Sequence, residues 1–194
     1  MKFKSLLPLL FIVVGIVIIG IGGWQILDSK TQTEDSLEVA KKIVEKNSDL
    51  KGTKNKDDEP FTPFVGETVG LLELPRIKSE LAIIEGTDED DLKKGVGHYK
   101  GSYYPGENGQ IVLSGHRDTV FRRLGELKIG DPLKVKMPYG NYDYEIIGTK
   151  IVEADDTSII TLQKENEELV VTTCYPFSYV GDAPQRYIIY AKKK

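Results

Sequence analysis

The sequence contains very little cysteine and histidine. Its 194 residues include one cysteine and two histidines. A single cysteine cannot form an intramolecular disulfide, so an extracellular fold would have to be stable without one. One cysteine and two histidines do not supply a zinc site, and the acidic run 85–91 lacks the spacing of a calcium-binding loop. We therefore expect no metal and no other cofactor.

The sequence also has no excess of positive charge. Its 26 lysines and arginines are outnumbered by 30 aspartates and glutamates, which gives a net charge of −4. This balance argues against nucleic acid as a partner. No internal repeat is visible. The length and the hydrophobic content of 40% are sufficient for one domain with a hydrophobic core, but not for two large ones.

Charge is missing entirely from residues 5–27, near the N-terminus. Residues 6–27 would form a helix about 33 Å long at ~1.5 Å per residue, which is enough to cross a bilayer. Because Lys2 and Lys4 precede this run, the positive-inside rule predicts a cytoplasmic N-terminus and an extracellular remainder. The alternative is a cleaved signal peptide. We favour an uncleaved signal anchor, since the run is long and no clear cleavage site follows it.

Composition divides the chain into four predicted segments. Residues 1–5 are predicted to be cytoplasmic, and residues 6–27 to form the transmembrane signal anchor. Residues 28–60 are predicted to be an extracellular linker, a solvated tether with one short helix within 34–50, because 51–60 contains no apolar residue. Residues 61–194 form the predicted globular domain.

From residue 61 onwards, short runs of β-branched and aromatic residues alternate with turn residues. The predicted strands are 69–74, 81–85, 110–114, 132–137, 142–152, 169–173 and 186–191. A brief helix is expected over 88–94 and another turn of helix within 121–127. This pattern predicts a mostly β fold, a closed or nearly closed barrel of about eight strands with short helices.

The single cysteine lies at the end of a predicted strand. Cys174 follows the run Val-Val-Thr-Thr, and Arg186 opens the next strand after a loop that contains Gly, Asp and Pro. If these strands are neighbours, the thiol and the guanidinium lie side by side, and a nearby cation favours a thiolate nucleophile. The alternative is a buried core cysteine, which is the commoner place for a lone thiol.

Two histidines compete for the role of acid and base. His116 follows a predicted strand and Gly115, at a strand end like Cys174 and Arg186. His98 lies in a glycine-rich segment, where no predicted strand fixes its position. We therefore assign the acid–base role to His116 and expect His98 to be structural or adjacent to the substrate.

Three segments of the sequence together resemble the signature motifs of sortases. They are SGHRDTVF at 114–121, TCYPF at 173–177 and APQRY at 183–187. The order His, Cys, Arg also matches, and the resemblance extends over about 69–191. It is closest to class D sortases, with class E next. One departure is that the family's Thr-Leu-x-Thr-Cys reads Val-Val-Thr-Thr-Cys at 170–174.

The resemblance implies a sortase-like barrel and a cysteine transpeptidase on the outer face of a Gram-positive membrane. Such an enzyme cleaves a Leu-Pro-x-Thr-Gly-like sorting signal of a secreted protein after Thr and passes the acyl group to a cell-wall amine. By the same resemblance, Cys174 is the nucleophile, His116 the acid and base, and Arg186 the donor to the substrate or the oxyanion. Its partners would be secreted proteins that carry the signal and an amine of peptidoglycan or its precursor.

Substrate contacts are expected from the loops beside these strands, 97–109 and 154–167. The candidate residues are His98, Tyr99, Ile159, Ile160 and Thr173. Two other functions remain open at this point. One is an extracytoplasmic cysteine hydrolase or protease, and the other is a non-enzymatic anchored β-domain that binds surface proteins, with Cys174 in its core.

Overall fold

The computed structural model describes residues 6–48, 61–179 and 181–194. A helix, α1 (Leu6–Ser48), precedes eight strands and a short helix, α2 (Glu89–Leu92). The strands are β1 (Thr68–Leu74), β2 (Ser79–Glu85), β3 (Val96–His98), β4 (Gln110–Gly115), β5 (Pro132–Met137), β6 (Gly140–Glu153), β7 (Glu168–Tyr175) and β8 (Gln185–Lys193). Single 3₁₀ turns follow β1 and β4.

The eight strands form a closed barrel in the order β1-β2-β3-β4-β7-β8-β6-β5, with β5 returning to β1. Two pairs, β2 with β3 and β4 with β7, are parallel, and the other pairs are antiparallel. The prediction of a mostly β, closed barrel of about eight strands with short helices is confirmed. The strand β3 was not predicted, because three residues are too few to show an alternating pattern.

Alternation along the strands separates the inside of the barrel from the outside. In β7, Leu169 and Val171 belong to the main core inside the barrel, whereas Val170 belongs to a second cluster on the outer face. The same division places Ile189 of β8 inside and Ile188 outside. Successive side chains of a strand point to opposite faces, so these residues fix the direction of every later side chain in the same strand.

Helix α1 joins into one continuous helix the two that were expected separately, at 6–27 and within 34–50. Its second half packs on the barrel, whereas a solvated tether was predicted there. Ala40 is fully buried among Leu71, Ala82 and Ile84, the outward-facing residues of β1 and β2. The apolar residues Leu37, Ala40 and Val44 of α1 therefore make tertiary contacts. Residues 1–5 and 49–60 lie outside the described residues, so the predicted segment boundaries there remain predictions.

The first half of α1 has the length and composition of a membrane-crossing helix. Its apolar stretch has a mean hydropathy of 2.4, and none of that stretch is buried against the rest of the protein. Large apolar side chains such as Phe11, Ile16 and Ile19 are exposed along it. Such a surface is stable in lipid rather than in water.

Candidate active site

Cys174 and Arg186 lie directly opposite each other in the antiparallel pair β7–β8. Residues that are paired in this way have their Cα atoms about 4.5–5.5 Å apart, and their side chains share one face of the sheet. Cys174 is a free thiol of intermediate exposure. The structure therefore brings together the thiol and the guanidinium that the sequence analysis paired.

His116 lies beside Cys174 on the other side of β7. The parallel register pairs Gly115, the last residue of β4, with Thr173, and the next residue of each segment is His116 or Cys174. Neighbouring strands are about 4.8 Å apart, so His116 and Cys174 are neighbours at the same rim of the barrel. We call this end of the barrel, where β4 and β7 end and β8 begins, the upper rim.

All three side chains belong to the outer face of the barrel. Along β7, Val170 packs in the outer cluster, and Thr172 and Cys174, two and four residues later, point to the same face. In the same way, Arg186 is two residues from the outward-facing Ile188, and His116 is four residues from the outward-facing Val112. The three side chains are therefore accessible from the outer surface of the barrel and not from its interior.

The end of β4 is held by contacts under the histidine. The hydroxyl of Thr173 donates to the carbonyl of Gly115 at 2.7 Å, and the backbone N–H of Phe121 donates to the carbonyl of His116 at 3.0 Å. Phe121 is fully buried, and its ring lies where a Cβ at residue 115 would be, with a closest approach of 2.6 Å. Glycine at 115 is required because this ring fills the adjacent space.

Arg186 is oriented by its own loop. One terminal nitrogen, Nη1, donates to the carbonyl of Gln185 at 3.0 Å and to that of Ala183 at 3.2 Å. Among the described residues, no bond occupies Nε or Nη2. These groups are thus available to donate to a carbonyl oxygen or to an oxyanion formed beside Cys174.

Arg117 ties the loop after His116 to the loop between β7 and β8. Its Nη2 donates to the carbonyl of Gly181 at 2.6 Å, and its guanidinium carbon lies 5.8 Å from the centre of the Tyr179 ring. The role of Arg117 as a connection between the two loops could not be seen from sequence, since it depends on a contact across 64 positions.

His98 lies inside the barrel, away from the three outer side chains. It pairs with the inward-facing Leu113, and its side chain is buried. Its Nδ1 donates to Glu85 Oε2 at 2.7 Å, and its Nε2 lies 3.0 Å from the hydroxyl oxygen of Ser102. Tyr104 also donates to Glu85 and stacks on the imidazole, with ring centres 4.2 Å apart. The structure does not bring His98 to the surface beside Cys174.

Glu85 is the charged centre of this buried cluster. Burial acts to raise the pKa of Glu85, but the hydrogen bonds from His98 and Tyr104 outweigh it and hold the pKa below its ordinary value. Burial and the neighbouring Glu85 carboxylate raise the pKa of Tyr104, which therefore stays protonated as a donor. The cluster fastens β2, β3 and the loop after β3 to one another.

The other proposed substrate contacts are divided between the two faces. Thr173 is buried and points inwards, where it bonds to Gly115. Ile159 is buried in the outer cluster with Val170, and Ile160 and Tyr99 are half-buried beside it. The loop 154–167 therefore covers the outer face of the sheet below Cys174. Ile160 and Tyr99 remain at its surface, whereas Thr173 does not.

Gln110 organises that loop, and the sequence analysis did not identify it. Its side chain is buried, and its amide nitrogen donates to the carbonyl of Ile159 at 3.1 Å. Its amide oxygen accepts from the backbone N–H groups of Thr161 and Leu162, at 2.9 and 3.2 Å. One amide thus satisfies three backbone groups of a loop with no regular structure. A glutamine at the start of an apolar strand was the available signal.

Comparison with known proteins agrees with this geometry. Residues 72–194 match the sortase domain family. The chain is 59% identical to sortase D of Bacillus subtilis (strain 168) over 195 residues, 98% of each chain.

Solved structures show the same likeness. The catalytic domain of B. anthracis SrtD is 44% identical, with a TM-score of 0.59, and the match covers 72% of this chain and 96% of that one. A Clostridium perfringens sortase D5 transpeptidase has a TM-score of 0.69 at 24% identity over 84% and 99% of the two chains, which is a likeness of fold. The chain therefore belongs to the sortase family, as a class D-like cysteine transpeptidase.

Proposed function

We propose that this enzyme cleaves a Leu-Pro-x-Thr-Gly-like sorting signal of secreted proteins between Thr and Gly and transfers the acyl group to a cell-wall amine. Cys174, His116 and Arg186 perform this reaction. The observation that carries the proposal is their placement as neighbours on the outer face at one rim, through the registers of β4, β7 and β8. An extended peptide can reach the outer face of the barrel without any opening of the barrel.

The first half-reaction forms a thioester. His116 holds the proton that the thiol of Cys174 loses, and the sulfur attacks the carbonyl carbon of the signal's Thr. The carbonyl oxygen becomes an oxyanion that accepts hydrogen bonds from the free N–H groups of Arg186. His116 donates a proton to the leaving amine of Gly as the C–N bond breaks. The amino-terminal part of the substrate stays bound to Cys174 as a thioester.

The second half-reaction reverses these roles. The amine of the acceptor attacks the thioester carbonyl, and His116 takes the proton that the amine loses. Arg186 again stabilises the oxyanion, a function in which one lost donor costs ~10²–10³ in rate. Collapse of the intermediate forms the new amide bond and releases the Cys174 sulfur. The order of events is ping-pong, and water in place of the amine gives hydrolysis.

Membrane anchoring by α1 completes the proposal. Sortases are membrane-anchored, and α1 is long and apolar enough to span a bilayer. With Lys2 and Lys4 on the cytoplasmic side, the barrel lies outside the cell. It then meets secreted proteins and wall precursors there.

The test is a mass-spectrometric screen of sorting-signal peptides with the full chain, with and without amine acceptors. We expect cleavage between Thr and Gly and an amide product when an amine is added, and Cys174→Ala should abolish both. Cleavage without transfer to any amine would favour a hydrolase instead. Activity of Cys174→Ala near that of the unmodified enzyme would overturn the assignment of the nucleophile.

A further inference from the structure

Helix α1 fixes the direction in which the barrel faces the membrane. Thr33 donates to the carbonyl of Lys93 at 3.0 Å, Lys41 pairs with Glu80 at 2.5 Å, and Ala40 is buried against β1 and β2. Residues 29–34 of the helix lie beside residues 77–79 of the upper rim, whereas Ala40 lies lower, against Ala82 and Ile84 of β2, so the helix runs from the upper rim down the outside of the barrel. The apolar half of the same helix therefore leaves the barrel beyond the upper rim, the rim that carries Cys174.

A cleft of about 1060 Å³ separates α1 from the loops of that rim. On the helix side it begins at Gly22, inside the apolar stretch, and continues to Glu34. On the barrel side it is bounded by residues 77–81 and by 118–123, the loop that follows His116. Because one end of the cleft lies within the membrane-crossing segment, the cleft opens at the level of the lipid head groups.

The lining of this cleft combines apolar and cationic side chains. The apolar members are Ile77, Leu81 and Val120, and the cations are Lys30, Lys78, Arg122 and Arg123, against the two carboxylates Glu34 and Asp118. Lys30 lies 3.8 Å from Glu34, and Arg123 is paired with Glu126 and bonded to the Ile77 carbonyl.

Two of these cations, Lys78 and Arg122, have N–H groups left to donate to a ligand. Lys78 is exposed and forms no ion pair with the described residues, and Arg122 uses only Nε and Nη2, both on the carbonyl of Asp118. Lys30 is three residues beyond residue 27, and the helix rises by about 1.5 Å per residue. Lys30 thus lies within a Debye length of about 8 Å of the bilayer surface, and Lys78 and Arg122 line the same cleft.

We propose that this cleft binds the phosphate head group of an anionic phospholipid through Lys78 and Arg122 and so holds the upper rim against the bilayer. The apolar residues contact the upper part of the acyl chains, and the cations contact the phosphate. The inference rests on the membrane anchoring stated in the proposed function. Its consequence is that Cys174 meets its peptide close to the membrane surface.

The single cysteine allows a direct test with the full chain. Cys174 is labelled with a thiol-reactive fluorophore, and the protein is reconstituted into vesicles whose lipids carry a nitroxide quencher on the head group. The vesicles contain phosphatidylcholine alone or phosphatidylcholine mixed with phosphatidylglycerol. We expect stronger quenching in the mixed vesicles, and little in either for a label at the lower rim, placed in Cys174→Ala with Lys192→Cys.

Variants identify the cations that bind the lipid. Lys78→Gln and Arg122→Gln should each lower the equilibrium constant for docking by about fivefold in the mixed vesicles. The matched control carries Lys164→Gln and Lys192→Gln, two exposed lysines at the lower rim, and should dock like the parent. Unchanged melting temperatures would confirm that all variants are folded.

Two results would overturn the proposal. One is equal quenching at the upper and lower rims, and the other is quenching that does not respond to phosphatidylglycerol or to the two upper-rim substitutions. This readout needs no sorting-signal peptide. Failure of the transpeptidation screen with normal quenching would refute the proposed reaction alone, whereas normal transpeptidation without quenching would refute lipid docking alone.

Discussion

At the scale of single residues, the positions of Cys174, His116 and Arg186 depend on neighbours that the proposed reaction does not use. Gly115 and Thr173 fix the register next to His116 and Cys174, and Phe121 fills the space under the end of β4. Arg186 is oriented by carbonyls of its own loop. The two histidines also differ in their surroundings. His116 follows β4 on the outer face of the barrel, whereas His98 is enclosed by a carboxylate and a tyrosine.

Substitution of each histidine should separate chemistry from stability. We expect His116→Ala to lower kcat/KM by at least ~10²-fold at an unchanged melting temperature, because proton transfer to the leaving amine is lost. His98→Asn should lower the melting temperature and leave the turnover of the folded protein within a few-fold. Peptide cleavage and thermal unfolding measure the two effects. If His98 proved as essential to turnover as His116, the assignment of the acid and base would be wrong.

The buried carboxylate Glu85 should make stability depend on acidity. Because its pKa in the folded state is lowered, Glu85 stabilises the fold at pH values above the unfolded-state pKa of about 4.3, and this contribution is lost as the pH falls through the folded-state pKa. In Glu85→Gln, the decline in the free energy of unfolding from about pH 5 to 3 should be shallower. Urea titrations measure it, with the exposed Glu165→Gln as a control. Equally shallow declines in both variants would contradict this role.

At the scale of elements, the strands could be predicted because each alternates or runs apolar between turn residues. β4, β5, β7 and β8 were found within one or two residues of their bounds, and the positions of Cys174 and Arg186 at strand ends followed from this. The adjacency of His116 and Cys174 could not be derived from the pattern alone. It depends on the parallel pairing of β4 with β7, across about 58 positions.

Helix α1 shows the opposite case. Leu37, Ala40 and Val44 form a thin apolar stripe in the sequence, but such a stripe does not show whether another surface exists to bury it. The outward-facing Leu71, Ala82 and Ile84 provide that surface, and each lies in a strand that also reads as core. From the sequence alone, a strand whose outer face is covered by a helix looks the same as one whose outer face is covered by other strands.

The junction between β4 and the following loop should be sensitive to one added methyl group. Gly115→Ala places a Cβ 2.6 Å from the Phe121 ring, and we expect a loss of ~1–3 kcal/mol in the free energy of unfolding together with reduced turnover, since His116 is displaced. The double variant Gly115→Ala, Phe121→Leu should recover part of both. Denaturant unfolding and kcat/KM provide the measurements. No recovery in the double variant would mean that the ring is not what excludes alanine.

At the scale of the whole molecule, helix and barrel form one folded unit. The same helix that is apolar enough to enter the membrane is buried at Ala40 against β1 and β2, and it is bonded to the barrel through Thr33 and Lys41. The sequence analysis instead expected residues 28–60 to contribute no core. If the helix is part of the folded unit, removal of residues 28–60 should destabilise the barrel.

Truncation should distinguish a tether from a structural helix. Residues 28–194 should melt at a higher temperature than residues 61–194, because removal of the helix exposes Leu71, Ala82 and Ile84. At ~25 cal/mol per Å² of apolar surface, the loss should be on the order of a few kcal/mol. Both fragments should cleave peptide, since the proposed catalytic residues lie on β7, on β8 and directly after β4, away from β1 and β2.

A pair of substitutions tests the same packing without truncation. In residues 28–194, Ala40→Glu places a charge in the buried contact and should lower the melting temperature to that of residues 61–194. The matched control is Val39→Glu, one position away on the exposed side of the helix, and it should have little effect. Equal melting temperatures for the two fragments, with no effect of Ala40→Glu, would show that residues 28–60 are a tether. They would also contradict the rigid connection on which the proposed docking of the upper rim depends.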